Sequence, residues 1–272
     1  MAIELFIFLC GAALALTGSL TFWPVQAWYD FYIPIVLFIA GYLGGLFLIV
    51  WNVYWIAGKI ISLKKNRDKP SRVARWMVMH GLRFMSLHAL IKTELRGVNK
   101  LPKNEKFVLV CNHRSNYDPM IIIERFALKK IAFISKESNF KIPMVGRFMK
   151  GSCYQAIDRE DREEALKIIR KCTKFVEDGI MSIGVFPEGT RQKKEIIGQF
   201  HEGVFNIAIH AGAPLVIAAL KGTQNIAGRA PFKRTRVFLK IIGVIQPEEL
   251  QNYTAKAVSD LSRDLMIDFL SE

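Results

Sequence analysis

Phe107-Val108-Leu109-Val110-Cys111-Asn112-His113-Arg114-Ser115-Asn116-Tyr117-Asp118-Pro119 is the stretch on which the fold turns. Five apolar residues in succession, closed off by polar ones, form a buried strand. A polar loop follows at once, and Pro119 is a residue suited to the first turn of a helix. Strand, loop and helix in this order make the repeating unit of an α/β domain.

The unit recurs downstream. Residues 131–134 form another short apolar run, and 180–186, 215–220 and 236–245 read as further strands. Residues 161–178 place Ala165, Ile168, Ile169, Cys172, Phe175 and Val176 at helical spacing, with acidic residues in the first turn and Gly179 beyond the end. Residues 203–210 and 255–269 are helical as well. Alternation of this kind predicts an α/β fold whose largely parallel sheet is flanked by helices. No internal repeat interrupts it.

Upstream the pattern changes. Residues 2–23 and 33–58 are two apolar runs, each long enough to cross a hydrocarbon core of about 30 Å. Between them lie Trp23, Trp28, Tyr29 and Tyr32, amphipathic aromatics suited to a membrane–water boundary. The sequence predicts an N-terminal transmembrane helical hairpin. The chain's 272 residues carry a net charge of +14, unevenly spread. No Lys or Arg precedes Lys59, whereas 13 lie between Lys59 and Lys106. Basic residues beside a span stay cytoplasmic, so everything after residue 59 is expected on that face. Residues 71–92 read as a basic amphipathic interfacial helix, with Arg72, Arg75, Arg83 and Ser86 on one narrow arc and bulky apolar residues around the rest. Burial against the soluble domain is the other reading, and one helix can do both. Three segments result: a membrane anchor at 1–63, a basic linker and interfacial helix at 64–93, and the α/β domain at 94–272.

A strongly basic chain favours anionic partners. Nucleic acid is disfavoured, because the basic run follows directly on a membrane segment and no nucleic-acid-binding motif is present. The four cysteines, Cys10, Cys111, Cys153 and Cys172, have neither zinc-ligand nor redox-pair spacing and read as small packing residues. No cluster suggests a metal site.

Two polar clusters carry chemistry. In the first, His113 at a strand end is followed five residues later by Asp118. An Asp that accepts the Nδ1 proton fixes the imidazole tautomer, leaving the other nitrogen to take a proton from a hydroxyl. Asp118 is also placed to cap the helix begun by Pro119, and spacing alone leaves both roles open. The second cluster is Phe186-Pro187-Glu188-Gly189-Thr190-Arg191, again at a strand end. It offers close backbone approach, a hydroxyl and a planar guanidinium fork for phosphate. An ordinary polar turn with a solvated arginine has the same composition.

Taken together, the two clusters resemble those of the glycerolipid acyltransferase family, and within it the bacterial 1-acylglycerol-3-phosphate acyltransferases. Ile157-Asp158-Arg159 resembles the family's intervening motif, and Lys136-Glu137, residues 142–146, residues 200–203 and residues 213–217 match its connecting segments. Gln192, where the family often has Ser, and Gln155-Ala156 are departures that remove no reacting group. The resemblance implies His113 as general base and Asp118 as its partner. It implies Arg159, Glu188, Gly189, Thr190 and Arg191 as acceptor-binding residues, with Lys136 a further phosphate contact. The implied reaction moves a fatty acyl group from acyl-carrier protein or acyl-coenzyme A to the sn-2 hydroxyl of lysophosphatidic acid, forming phosphatidic acid without metal or cofactor. It implies a bacterial inner-membrane, multi-pass protein working on anionic lipid. Glycerol 3-phosphate or another lysophospholipid is the alternative acceptor. A non-catalytic basic membrane-surface protein is the alternative of another class, and it gives no reason for His113, Asp118, Glu188 and Arg191 to occur in this arrangement.

Overall fold

The computed structural model describes Ala13 and residues 32–62, 69–158, 161–192 and 197–271. The chain divides into two compact units, residues 1–59 and 60–272. The first apolar run, the aromatic turn up to residue 31 and the basic residues 64–68 lie outside the described residues, so the hairpin reading is not addressed by them. The second run forms helix α1, Tyr32–Ser62. Among the described residues, its Ile39–Ile61 portion is the one stretch of helix long and apolar enough to cross a membrane. Its 23 residues span about 35 Å at the usual helical rise.

The second unit is a seven-stranded sheet with helices on it. Its strands are β1 (Ile91–Arg96), β2 (Val108–Cys111), β3 (Ile131–Lys136), β4 (Gln155–Ile157), β5 (Ser182–Val185), β6 (Leu215–Lys221) and β7 (Thr235–Ile245). Their spatial order is β1-β7-β6-β2-β5-β3-β4, and every neighbouring pair is parallel except β6 with β7. The central strands β2 and β5 are buried at every position, as continuous apolar runs covered on both faces must be. β1 instead alternates half-buried and exposed residues, the pattern of an edge.

The main helices are α2 (Arg72–His88), α3 (Asp118–Arg125), α4 (Val145–Gly151), α5 (Arg162–Glu177), α6 (Asn206–Ala211) and α7 (Ala255–Ser271). In α5, Asp161 caps the start by accepting from Glu164 N at 3.0 Å, and Gly179 takes the left-handed conformation at φ +64° just past the end. Cys172, Phe175 and Val176 form its buried stripe. The expected helix at 203–210 is split, a 3₁₀ turn at Glu202–Phe205 leading into α6. Burial pushes the Cys172 thiol up to about 12, as suits a packing residue.

α2 buries one apolar flank against the sheet domain and leaves another exposed. It starts at the Ser71 cap and packs on α3 and α4 through Ala74, Met77 and Ser86. The polar arc turns partly inward: Arg75 donates to Ala127 O at 3.1 Å and the Ser86 hydroxyl donates to Glu124. Val73, Trp76, Phe84 and Leu87 face outward, each more than half exposed.

Chain order around the centre of the sheet positions the site. From β2 the chain moves outward through α3 to β3, while from β5 it moves past β2, through α6, to β6. Parallel crossovers share one hand, so neighbouring strands whose connections leave in opposite directions send their helices to opposite faces. A crevice therefore opens at the carboxyl ends of β2 and β5.

Candidate active site

Both polar clusters sit at that crevice. Val110 of β2 is paired with Val185 of β5, so His113 and Glu188, each three residues further on, leave the sheet level with one another. The backbone N–H of His113 donates to Glu188 Oε1 at 2.7 Å, and that of Gln192 donates to His113 O at 2.9 Å. Glu188 Oε2 accepts from Gly198 N at 3.0 Å. Both carboxylate oxygens of Glu188 are thus taken up by main chain, and the residue is buried. Burial raises its carboxyl above the usual glutamate value, with the N–H groups of His113 and Gly198 pulling the other way.

Asp118 is fully buried. Its Oδ2 accepts from His113 Nδ1 at 2.8 Å, Arg114 N at 2.6 Å and Ser115 N at 2.7 Å. This corrects the capping alternative. Tyr117 occupies the cap position of α3 and Asp118 is already helical, so its side chain reaches back to the loop rather than forward along the helix. The loop is wound around the carboxylate. A carboxylate at Nδ1 favours the tautomer with its hydrogen there, the one that leaves the Nε2 lone pair free.

Aromatic stacking fixes the ring plane. His113 lies on Phe186 with centroids 4.2 Å apart, and Phe186 lies on Phe133 at 5.0 Å. Phe133 fits because Gly184 beside it has no side chain: a Cβ there would meet Phe133 Cε1 at 2.5 Å. On the other flank Asn112 donates to Leu220 O at 2.9 Å and accepts from Leu220 N at 2.8 Å. Its amide stands in for a peptide group, continuing the β2–β6 ladder one step while the main chain turns away. Cys111 lies beneath, and burial, with the Asp118 and Glu188 charges adding to it, holds its thiol well above the ordinary value. It is no nucleophile.

The remaining expected residues are distributed as follows. Gly189, at φ +70°, turns the second loop through a bond from its N–H to Phe186 O at 3.0 Å. Thr190 and Arg191 are exposed beyond it. Lys136 ends β3 with its side chain exposed; Phe133 pairs with Gly184, so Lys136 stands level with Pro187 at the same end of the sheet. Arg159 lies outside the described residues. Asn112 and Phe186 were in the quoted motifs without a role, and a lone Asn closing an apolar run was the signal available for the first.

Residues 92–221 match the model of the Acyltransferase family, a span that holds both clusters and the strands beneath them. The chain is 28% identical to the 1-acyl-sn-glycerol-3-phosphate acyltransferase of Haemophilus influenzae over 84% of its own length and 93% of that protein's. It is 34% identical to a chloroplastic 1-acyl-sn-glycerol-3-phosphate acyltransferase of Brassica napus over 143 residues, which is 52% of this chain and 41% of the plant protein, so it spans about two fifths of that relative. Its fold matches the crystal structure of the 1-acyl-sn-glycerophosphate acyltransferase from Thermotoga maritima with a TM-score of 0.62 and 24% identity, covering 83% of this chain and 91% of that one. The chain shares with that structure its α/β architecture.

Proposed function

We propose that the protein is a membrane-bound 1-acylglycerol-3-phosphate O-acyltransferase, making phosphatidic acid from lysophosphatidic acid and an acyl thioester. The observation that carries this reading is the His113–Asp118 pair, held level with the Glu188–Arg191 loop at one crevice. His113 Nε2 takes the proton of the sn-2 hydroxyl. The oxygen attacks the thioester carbonyl, the C–S bond breaks, and the departing sulfur of acyl-carrier protein or coenzyme A takes the proton back from the imidazolium. Asp118 stabilises that imidazolium. Thr190 and Arg191 receive the acceptor phosphate, with Lys136 and Arg159 assigned to the same anion. Gly189 allows the close approach. Glu188 serves the acceptor indirectly, by tying its loop to the main chain of His113.

Residues 1–63 act as the membrane anchor, 64–93 as basic linker and interfacial helix, and 94–272 as the catalytic domain, facing the cytoplasm of a bacterial inner membrane. The outward apolar side of α2 supports the interfacial assignment, since Trp76, Phe84 and Leu87 would otherwise stand in water. Both lipid substrate and product are anionic amphiphiles, so a site at the bilayer surface spares their extraction into water.

The test is acyl transfer by the full chain in liposomes, offered a panel of lyso-acceptors with both donor types and the lipid product identified. Lysophosphatidic acid is the expected acceptor. Arg191→Lys keeps the charge and loses the bidentate fork. It is expected to raise KM for that acceptor and leave the donor's unchanged; an effect on the donor alone would remove Arg191 from the acceptor site.

A further inference from the structure

Between α6 and α7 the chain is conspicuously one-sided. Residues 221–246 hold six Lys or Arg and no Asp or Glu. Within them a tight loop projects from the sheet. A single helical turn, Ile226–Arg229, ends in bonds from Phe232 N and Lys233 N to Arg229 O at 3.0 and 2.8 Å, and Thr235 N then donates to Leu90 O at 3.1 Å as β7 begins. At the apex Phe232 is 89% exposed. Arg229, Lys233, Arg234 and Arg236 around it are all exposed.

The register places this loop at the catalytic end. Asn112 bonds to Leu220, so the His113 loop leaves the sheet level with Leu220, which pairs with Leu239 of β7. β7 runs antiparallel to β6 and begins at Thr235, four residues before Leu239. At about 3.3 Å per residue, its start stands roughly 13 Å past His113 in the direction in which the crevice opens. The parallel partner β1 begins there too, Ile91 against Thr235, so the exposed side chains of Leu87 and Leu90 at the end of α2 border the loop.

We propose that the Arg229–Arg236 loop is a lipid-contacting element in which Phe232 enters the headgroup region of an anionic bilayer and the four basic side chains hold its phosphates. This rests on the reading of the protein as a membrane-bound enzyme. An aromatic apex ringed by cations, beside further exposed apolar side chains, suits the boundary between headgroups and acyl chains. A protein partner buries its anchoring aromatics in a pocket among matched polar groups, whereas an apex projecting alone needs only a soft apolar medium. The loop would set the height of the crevice above the bilayer on the side away from β4.

The experiment uses the full chain with Cys10, Cys111, Cys153 and Cys172 replaced and Phe232→Cys carrying an environment-sensitive fluorophore. It is reconstituted in phosphatidylcholine vesicles with and without phosphatidylglycerol. Quenching by lipid spin-labelled near the headgroup is expected in the anionic vesicles, and its loss when Arg229, Lys233 and Arg234 are changed to Gln. In unlabelled protein the same three changes should lower transfer to a long-chain acceptor in anionic vesicles about fivefold or more, while a short-chain, water-soluble acceptor reacts at the original rate. A fluorophore unquenched by lipid in both vesicle types overturns the proposal, as does shielding that appears only on adding acyl-carrier protein. Adding His113→Ala separates the two readings: quenching must persist there, whatever becomes of acyl transfer.

Discussion

At the scale of single residues the site is a problem of orientation. His113 is held from three directions: through Nδ1 by Asp118, across its face by Phe186, and through its main chain by Glu188 and Gln192. His113→Ala should therefore leave the fold and membrane insertion intact while acyl transfer falls by about 10²–10⁴-fold, as measured on folded protein in liposomes. Near-normal turnover would remove the general-base mechanism. Glu188→Gln tests the tie between the loops. An amide can accept from only one of the two N–H donors, leaving a buried clash worth about 1–3 kcal/mol. The variant also removes a proton equilibrium. Because burial raises the folded carboxyl's pKa, the unfolded chain ionises first as pH rises, and wild-type stability falls until the folded group ionises as well. The deficit of Glu188→Gln against wild type should thus be largest in acid and shrink as pH rises through and above the ordinary glutamate range, read by thermal unfolding. A deficit that grows with pH would contradict it. The five-residue interval from His113 to Asp118 was legible as a pair. The inward turn of Glu188 was not, because composition shows a carboxylate but not that a backbone N–H from residue 198 arrives ten residues later to occupy it.

At the scale of elements, the central strands were legible and the edges were not. Residues 107–111 and 215–220 are unbroken apolar runs, and 180–186 is interrupted only by Ser182 and Gly184, because neighbours cover both faces. β1, Ile-Lys-Thr-Glu-Leu-Arg, carries only alternate apolar residues and becomes a strand by pairing with β7, some 140 residues later. β4 has three residues, too few to show a period. α2 was legible as a helix with a basic arc, yet the direction of that arc depends on Glu124 and Ala127, which come from elsewhere in the chain. The stack from Phe133 to His113 makes one further prediction. Gly184→Ala places a methyl group against Phe133 in the middle of β5, an overpacking that typically costs 1–3 kcal/mol. Displacing Phe133 tilts Phe186 and with it the imidazole, so kcat should fall more than stability alone explains. Steady-state rates well below the unfolding temperature check this, and an unchanged kcat would detach the stack from catalysis.

At the scale of the whole molecule, the absence of Lys and Arg before residue 59 and the 13 that follow argue for a two-span anchor with both its ends cytoplasmic. A cysteine at Gln26, in a chain lacking the native cysteines, should react with an impermeant thiol reagent added outside intact cells. Reaction only after the cytoplasmic face is opened would replace the crossing with a re-entrant hairpin, leaving the chemistry of His113 untouched. The pairing of β1 with β7 bears on something else, the order in which the protein is made. β1 leaves the ribosome early, but its partner among the described strands ends at Ile245. At synthesis rates of about 5–20 residues per second, roughly 7–30 s pass before that partner exists. Throughout this interval β1 is a tethered, unpaired edge, and ribosome-bound chains that stop short of β7 should be cut by protease at 91–96 while complete chains resist.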